Sequence, residues 1–209
     1  MESRDGREKA ARARGEKEEE RAAQAKDGEA PEDQEVDVTR RIVLALAAVA
    51  LAIAAAPYAR PAIERAWLVY TLWTEPPPAH LPSPIARVSP RAIANSWGTP
   101  RSGGRGHQGV DIFAPKDTPV LSTTRGIVAS VGTNTLGGLV VWVIGPGLEW
   151  HYYAHLDRYG AFRVGDVVNP GDVLGYVGRT GNARGTPFHL HYGIYRRGVA
   201  ENPYPRLAS

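Results

Sequence analysis

The 209-residue chain contains no cysteine. Disulfide staples and thiolate metal sites are thereby excluded, and any zinc centre must be built from histidine and carboxylate side chains. The same absence is compatible with an oxidising compartment. A basic stripe interleaved with aromatic residues is also missing: 25 lysines and arginines against 22 aspartates and glutamates leave a formal net charge of +3. Nucleic-acid binding, which needs such a stripe, has no support. Before Val36 there is almost no large apolar side chain, and after Ile85 no helix-period pattern runs longer than a couple of turns.

What is present divides the chain into four stretches. Residues 1–41 are charged, small or alanine, with runs such as Glu16 to Glu20 broken only by one lysine. They cannot bury enough apolar surface to offset their ordering entropy and read as a flexible or weakly helical charged tail. Residues 42–59 begin with an alanine-rich apolar run, Ile42 to Ala56, preceded by Arg40 and Arg41. About 18 helical residues rise ~27 Å, enough for a hydrocarbon core. A cleaved signal peptide competes with this reading, since Ala54-x-Ala56 resembles a cleavage site. Pro57 would then follow the cut, and a forty-residue leader is long, so the span is read as an uncleaved signal anchor. Arg60 and Arg65 follow it, leaving only a slight charge bias for an internal amino terminus.

Residues 60–84 carry Trp67, Tyr70 and Trp73, aromatics suited either to a membrane interface or to a short helix packing on the domain. They end in the proline-rich stretch Thr74 to Pro84, expected to be an extended linker. His80 within it reads as an ordinary exposed histidine. Residues 85–209 form short β-type runs between glycines and prolines, consistent with the totals of 23 and 17. Strands are expected at Val110 to Phe113, Pro119 to Leu121, Gly126 to Val131, Leu139 to Ile144, Glu149 to Ala154, Val167-Val168, Val173 to Val177 and His189 to Tyr195. A strand followed by a turn is expected over Ala94 to Pro100. The fold class is all-β, a compact sandwich or barrel.

The most informative stretch is Gly185 to Tyr195, in which His189 and His191 flank Leu190 and so share one face of a strand. Alone, a His-x-His is more often two ordinary histidines than a site. His107 and Asp111, four apart around Gly109, and His155 alter that balance, because three distant segments then supply zinc-type ligands. His107 and Asp111 can reach one ion if the chain turns at Gly109, and either His189 or His191 can complete the set. The other imidazole would lie beside the metal-bound water, whose pKa falls towards ~7. Spacing does not choose between the two. His151, four before His155, reads as structural.

Taken together, His107-x-x-x-Asp111 in GHQGVDIFAP, Tyr153 to Leu156, the run Gly165 to Gly178 and HLHYGIY resemble the lysostaphin/LytM-type zinc metallopeptidases. The resemblance covers about Asn95 to Tyr195 in the family's order. It implies the duplicated hybrid motif fold, one zinc ion held by His107, Asp111 and His191, and His155 and His189 as the catalytic pair. It also implies peptidoglycan peptides as substrate and a catalytic domain outside a bacterial cytoplasmic membrane. Discrimination among wall peptides would sit in loops such as Arg101 to Gly106 and Thr133 to Gly138. A residue pair of glycine and proline usual before the HLH is here Pro187 and Phe188, which bears on groove shape and not on the metal site. The Gly165 to Gly178 run also resembles lipoyl-type hairpins, but no lysine sits at its tip, and it reads as a scaffold. Trp142, Trp150 and Phe113 read as core or rim aromatics. A non-catalytic regulator of wall hydrolases on the same fold is the alternative, and the completeness of the five positions favours the enzyme.

Overall fold

The computed structural model describes residues 12–21 and 32–208, and it contains two compact units, residues 1–62 and 63–209. In the first unit, residues 12–21 form an exposed helix, α1. Alanine, glutamate, lysine and arginine all favour helix, which accounts for regular structure inside the charged tail. The rest of the tail before residue 32 lies outside the described residues. Helix α2 runs from Glu32 to Thr74. Its segment Asp37–Thr74 is long and apolar enough to cross a membrane, and Ile42, Leu44, Leu46, Leu51 and Ile53 are all more than half exposed. Pro57 and Pro61 lie inside the helix. Each removes one backbone donor, and the helix continues through both beyond the Ala59 limit expected from composition.

The second unit is an antiparallel β fold, as the turn-rich sequence predicts. Its strands are β1 (Val110–Phe113), β2 (Pro119–Leu121), β3 (Gly126–Asn134), β4 (Gly138–Ile144), β5 (Trp150–Tyr159), β6 (Val167–Val168), β7 (Val173–Val177), β8 (His189–Arg196) and β9 (Val199–Glu201). The main path is β1-β8-β5-β4-β3-β6, with β7 pairing β5 and β2, and β9 pairing β8. A short C-terminal helix, α3, spans Tyr204–Leu207.

Alternation explains the core. On β8, Leu190, Tyr192 and Ile194 are fully buried, while His189, His191, Gly193 and Tyr195 face the other way, as period-two geometry requires. Val110, Ile112, Val120, Val141, Val143, Tyr153, Leu156, Leu174 and Val177 complete the interior with Ile85. Residues expected to be linker also join it. Leu81 is buried and its amide donates to the Arg206 carbonyl at 2.8 Å, and the Leu121 amide donates to the Pro84 carbonyl at 2.8 Å. Leu68 and Leu72 of α2 are buried too.

Two local expectations need correction. Ala94 to Pro100 contains no strand; the Asn95 side chain accepts from the Trp97 amide at 3.2 Å, Gly98 has φ of +73°, and only Pro100 makes an isolated bridge, to Gly106. The asparagine-based turn takes the backbone donor that a ladder would have used. Strand β9 lies beyond the last strand that the apolar pattern marks. Arg197 and Gly198, with φ of +50° and +80°, make the tight turn that reverses the chain after β8.

Beneath the sheet lies a buried polar cluster. Glu149 is fully buried, and Arg206 Nη1 donates to both its oxygens at 2.9 Å while Arg196 Nη2 donates at 2.9 Å. His151 Nδ1 lies 2.7 Å from the Tyr192 hydroxyl, which with Tyr153 hydrogen-bonds Thr123 Oγ1. Burial, then the charge of Arg206, lowers the His151 pKa to about 3. The unfolded chain takes up this proton near pH ~6.5, so stability should be flat above that value and fall as pH drops towards about 3. Urea unfolding of the full chain in detergent at pH 7 and pH 5 should therefore show a larger loss of stability for wild type than for His151→Leu. Equal losses would place the acid sensitivity elsewhere.

Candidate metal and hydrolytic site

Strand β8, whose face opposite the core carries His189 and His191, pairs with β1 on one edge and β5 on the other. Asp111 pairs with His191, Phe113 with His189, and Ala154 with His191 from the opposite edge. Cross-strand neighbours on one face stand ~4.5–5.5 Å apart at Cβ, so this register alone brings Asp111 against His191. His107 arrives from the preceding loop. Its amide donates to the Thr99 carbonyl and its carbonyl accepts from Gly98, both at 2.9 Å, which fixes the loop end above β1.

His107 Nε2, Asp111 Oδ1 and His191 Nδ1 converge. The separations are 2.8 Å between the two nitrogens, 3.1 Å from His107 to Asp111 and 3.2 Å from His191 to Asp111. The three residues can hold a metal ion. Ligand atoms ~2.0–2.1 Å from one tetrahedral ion are ~3.3 Å apart, so two imidazole nitrogens and one carboxylate oxygen at these spacings fit a small borderline cation such as zinc. His107 Nδ1 donates to the Ser96 carbonyl at 2.7 Å, leaving the Nε2 lone pair towards its partners. A hydrogen-bonded second nitrogen of this kind is how ligand histidines are held in one tautomer.

His155 and His189 stand beside this triangle. Their ring centroids are 4.9 Å apart, and His155 is 5.9 Å from His191. Each donates Nδ1–H to a backbone carbonyl at 2.9 Å, His155 to Thr180 and His189 to Pro187. Both Nε2 atoms are thus left without a proton when the rings are neutral. His189 Nε2 lies 4.0 Å from Asp111 Oδ1. Burial, followed by the charges of His189 and His191, lowers the His155 pKa to about 4. Burial likewise lowers that of His191. Burial would push the Asp111 carboxyl up, but hydrogen bonds and charge from His107 and His191 outweigh it and hold the group far below the usual carboxylate range.

His155 reaches the site through an irregular backbone. It has φ of +64° within β5, at the point where that strand leaves β8, its partner through Ala154, and takes up β7 from Leu156 onward. Left-handed backbone is uncommon outside glycine, and such bulges re-aim side chains next to active sites.

All five residues singled out in the sequence therefore meet, whereas His151 is buried in the polar cluster and His80 is exposed. Several contributors carry no signal in the sequence. The Ser96, Thr180 and Pro187 carbonyls act through backbone, which any residue type provides. Ser96 Oγ also accepts from the Asp111 amide at 2.9 Å. Arg101 pairs with Asp111 Oδ2, so Oδ1 is the oxygen left facing the histidines. Gly109, which the sequence marks as a place to turn, serves close approach instead, since a Cβ there would stand 2.6 Å from both His191 Cε1 and the Tyr192 carbonyl oxygen.

Residues 105–203 match the model of peptidase family M23. The L-Ala–D-Glu endopeptidase of Bacillus subtilis (strain 168) is 39% identical over 125 residues, covering 54% of this chain and 38% of that protein. The catalytic domain of lysostaphin from Staphylococcus simulans has a similar structure, with a TM-score of 0.50 and 31% identity over 56% of this chain and 91% of that one. A candidate glycyl-glycine endopeptidase LytM from Ruminococcus gnavus gives a TM-score of 0.52 and 35% identity over 66% of this chain and 61% of that one. The chain spans well under half the length of the curated relatives it matches.

Gly109→Ala should disturb the β1–β8 contact and His191 together. The expected loss of stability is ~1–3 kcal/mol, typical of overpacking. Thermal unfolding with and without a chelator should show a lower Tm and a smaller metal-dependent increment than in wild type.

Proposed function

The chain belongs to peptidase family M23, and on that premise we propose that it is a zinc-dependent endopeptidase that hydrolyses peptide bonds of peptidoglycan. The observation that carries this reading is the convergence of His107 Nε2, Asp111 Oδ1 and His191 Nδ1 within 3.2 Å of one another, with the His155 and His189 rings alongside. A relative named as a peptidoglycan DD-endopeptidase, from Vibrio cholerae, supports the substrate class, and the L-Ala–D-Glu endopeptidase of Bacillus subtilis supports the reaction type.

In this reading His107, Asp111 and His191 hold the ion. Bound zinc supplies Lewis acidity and a water acidified to near-neutral pKa. His155 and His189, tautomers fixed by their carbonyl partners, present Nε2 to the reacting centre. A neutral imidazole there takes a proton from the attacking water, and an imidazolium returns it to the departing amine or polarises the oxygen that gains charge. Arg101 holds Asp111 in one orientation, so that a single oxygen is offered to the ion. Helix α2 serves as an uncleaved anchor in the cytoplasmic membrane, with the β domain on the outer side where peptidoglycan lies.

The full chain in detergent should release peptide fragments from purified sacculi in a chelator-sensitive manner, and mass spectrometry of the fragments identifies the bond. His191→Ala should lose both metal and turnover. His189→Ala should keep its zinc and lose ~10²–10⁴-fold in rate, the range for a general acid–base group. Retention of zinc by the first variant and its loss by the second would exchange the two roles. Absence of cleavage by zinc-loaded wild type across several wall types would favour the non-catalytic regulator. Protease added to intact spheroplasts should cut after Trp73; protection there would contradict the outward placement.

A further inference from the structure

The sheet face that carries Asp111 and His191 continues past them. Gly193 and Tyr195 follow His191 on the same side of β8, opposite Tyr152 and Trp150 of β5. Trp142 of β4 lies opposite Tyr152. The rings form a connected series: Tyr152 meets His191 at 5.8 Å, and Trp142 meets Tyr152 at 4.3 Å, Tyr195 at 5.3 Å and Trp150 at 6.0 Å. Tyr152 is buried at the base of the series, Trp142 and Tyr195 are half-buried, and Trp150, at the far end, is 39% exposed. Gly193 itself is buried, and a Cβ there would stand 3.1 Å from Tyr195 Cε2 and 3.0 Å from the Gln108 carbonyl oxygen, so it lets Gln108 close one end of this floor.

Two polar groups bordering these rings away from His191 are neutral. The Tyr152 hydroxyl accepts from Asn134 Nδ2 at 3.0 Å, and Ser130, exposed, faces Trp142 across β3 and β4. The nearest cation along β8, Arg196, is already committed to Glu149 and Glu201.

We propose that this aromatic floor is a saccharide subsite, on which a pyranose ring of the glycan strand rests while its attached peptide runs towards His191. The inference builds on the peptidoglycan reading. A pyranose has an apolar C–H face that lies flat on an indole, and hydroxyls at its edge that seek neutral hydrogen-bond partners. An aromatic surface with an uncharged border offers both. A charged peptide side chain would gain no counter-ion from these lining residues. Trp150 is four residues along β5 from Ala154, the partner of His191, which is ~13 Å at strand rise. An extended peptide covers that distance in about four residues. The floor therefore selects stem-peptide bonds about four residues from the sugar and still attached to it.

The test compares the full wild-type chain and Trp150→Ala in detergent on two substrates, a muropeptide and the same stem peptide without sugar. The quantity read is the ratio of kcat/KM between them. It should be ~5–10-fold in favour of the muropeptide for wild type, the scale of one aromatic stacking contact. It should fall near unity for Trp150→Ala and recover in Trp150→Phe. A wild-type ratio of one, or an undiminished ratio in Trp150→Ala, overturns the subsite. A second readout is independent of turnover: titration with an N-acetylglucosamine tetrasaccharide should change tryptophan fluorescence in wild type and in His191→Ala, and the change should be lost in Trp150→Ala. Saccharide binding without hydrolysis of any muropeptide would sink the peptidase reading and keep the subsite. Hydrolysis with no saccharide response, or a response to sugar-free peptide alone, would sink the subsite and keep the peptidase.

Discussion

The register of β8 is the constraint on which the rest of the site depends. Asp111 comes opposite His191 from one edge and Ala154 from the other. Slipping either pairing by one residue would turn His189 and His191 into the core and Leu190, Tyr192 and Ile194 out to solvent. Burial of those three side chains is thus what holds the imidazoles in place. Hydrophobic packing on one face of the strand does the positional work for chemistry on the other. Gly109 serves the same contact from the β1 side, where the absence of a side chain lets the His191 ring and the Tyr192 carbonyl come close.

A second device handles what register cannot. A regular β5 would keep one neighbour along each edge, yet on the edge away from β4 the domain needs this strand to serve β8 and then β7. The left-handed residue at that change of partner is His155. The unfavourable backbone of a non-glycine residue is tolerated because hydrogen bonds surround it: its amide donates to the Gly137 carbonyl at 2.8 Å and its ring to Thr180. The bend that closes the fold and the placement of an imidazole are the same event.

Much of this architecture is legible in the sequence for a simple reason. Apolar alternation and glycine-proline punctuation mark strands well, and β1, β2 and β7 fall where the pattern puts them. The His-x-His spacing also shows two rings on one face, but not which of them meets Asp111, since that depends on a partner strand eighty residues away. Backbone groups are invisible throughout. The carbonyls of Ser96, Thr180 and Pro187 set three tautomers without requiring any particular side chain. Arg101 stands out in sequence only as part of a loop that would set specificity, because nothing in the glycine spacing around it points its guanidinium back to Asp111. Composition likewise ends the apolar span near Ala59, whereas α2 runs through Pro57 and Pro61 to Thr74, because a helix interior can lose isolated donors and continue.

Glu149 and Arg206 lie 57 positions apart, and the carboxylate is sealed from water with both oxygens on one guanidinium nitrogen. A buried carboxylate deprived of such a partner costs several kcal/mol. Through this carboxylate, Arg196 and Arg206 tie the start of β5 to the end of β8 and to α3. Arg206 also supplies the carbonyl that receives the Leu81 amide, so the segment before the sheet is joined to the segment after it. Closure of the sheet is thus a joining of segments far apart in the sequence.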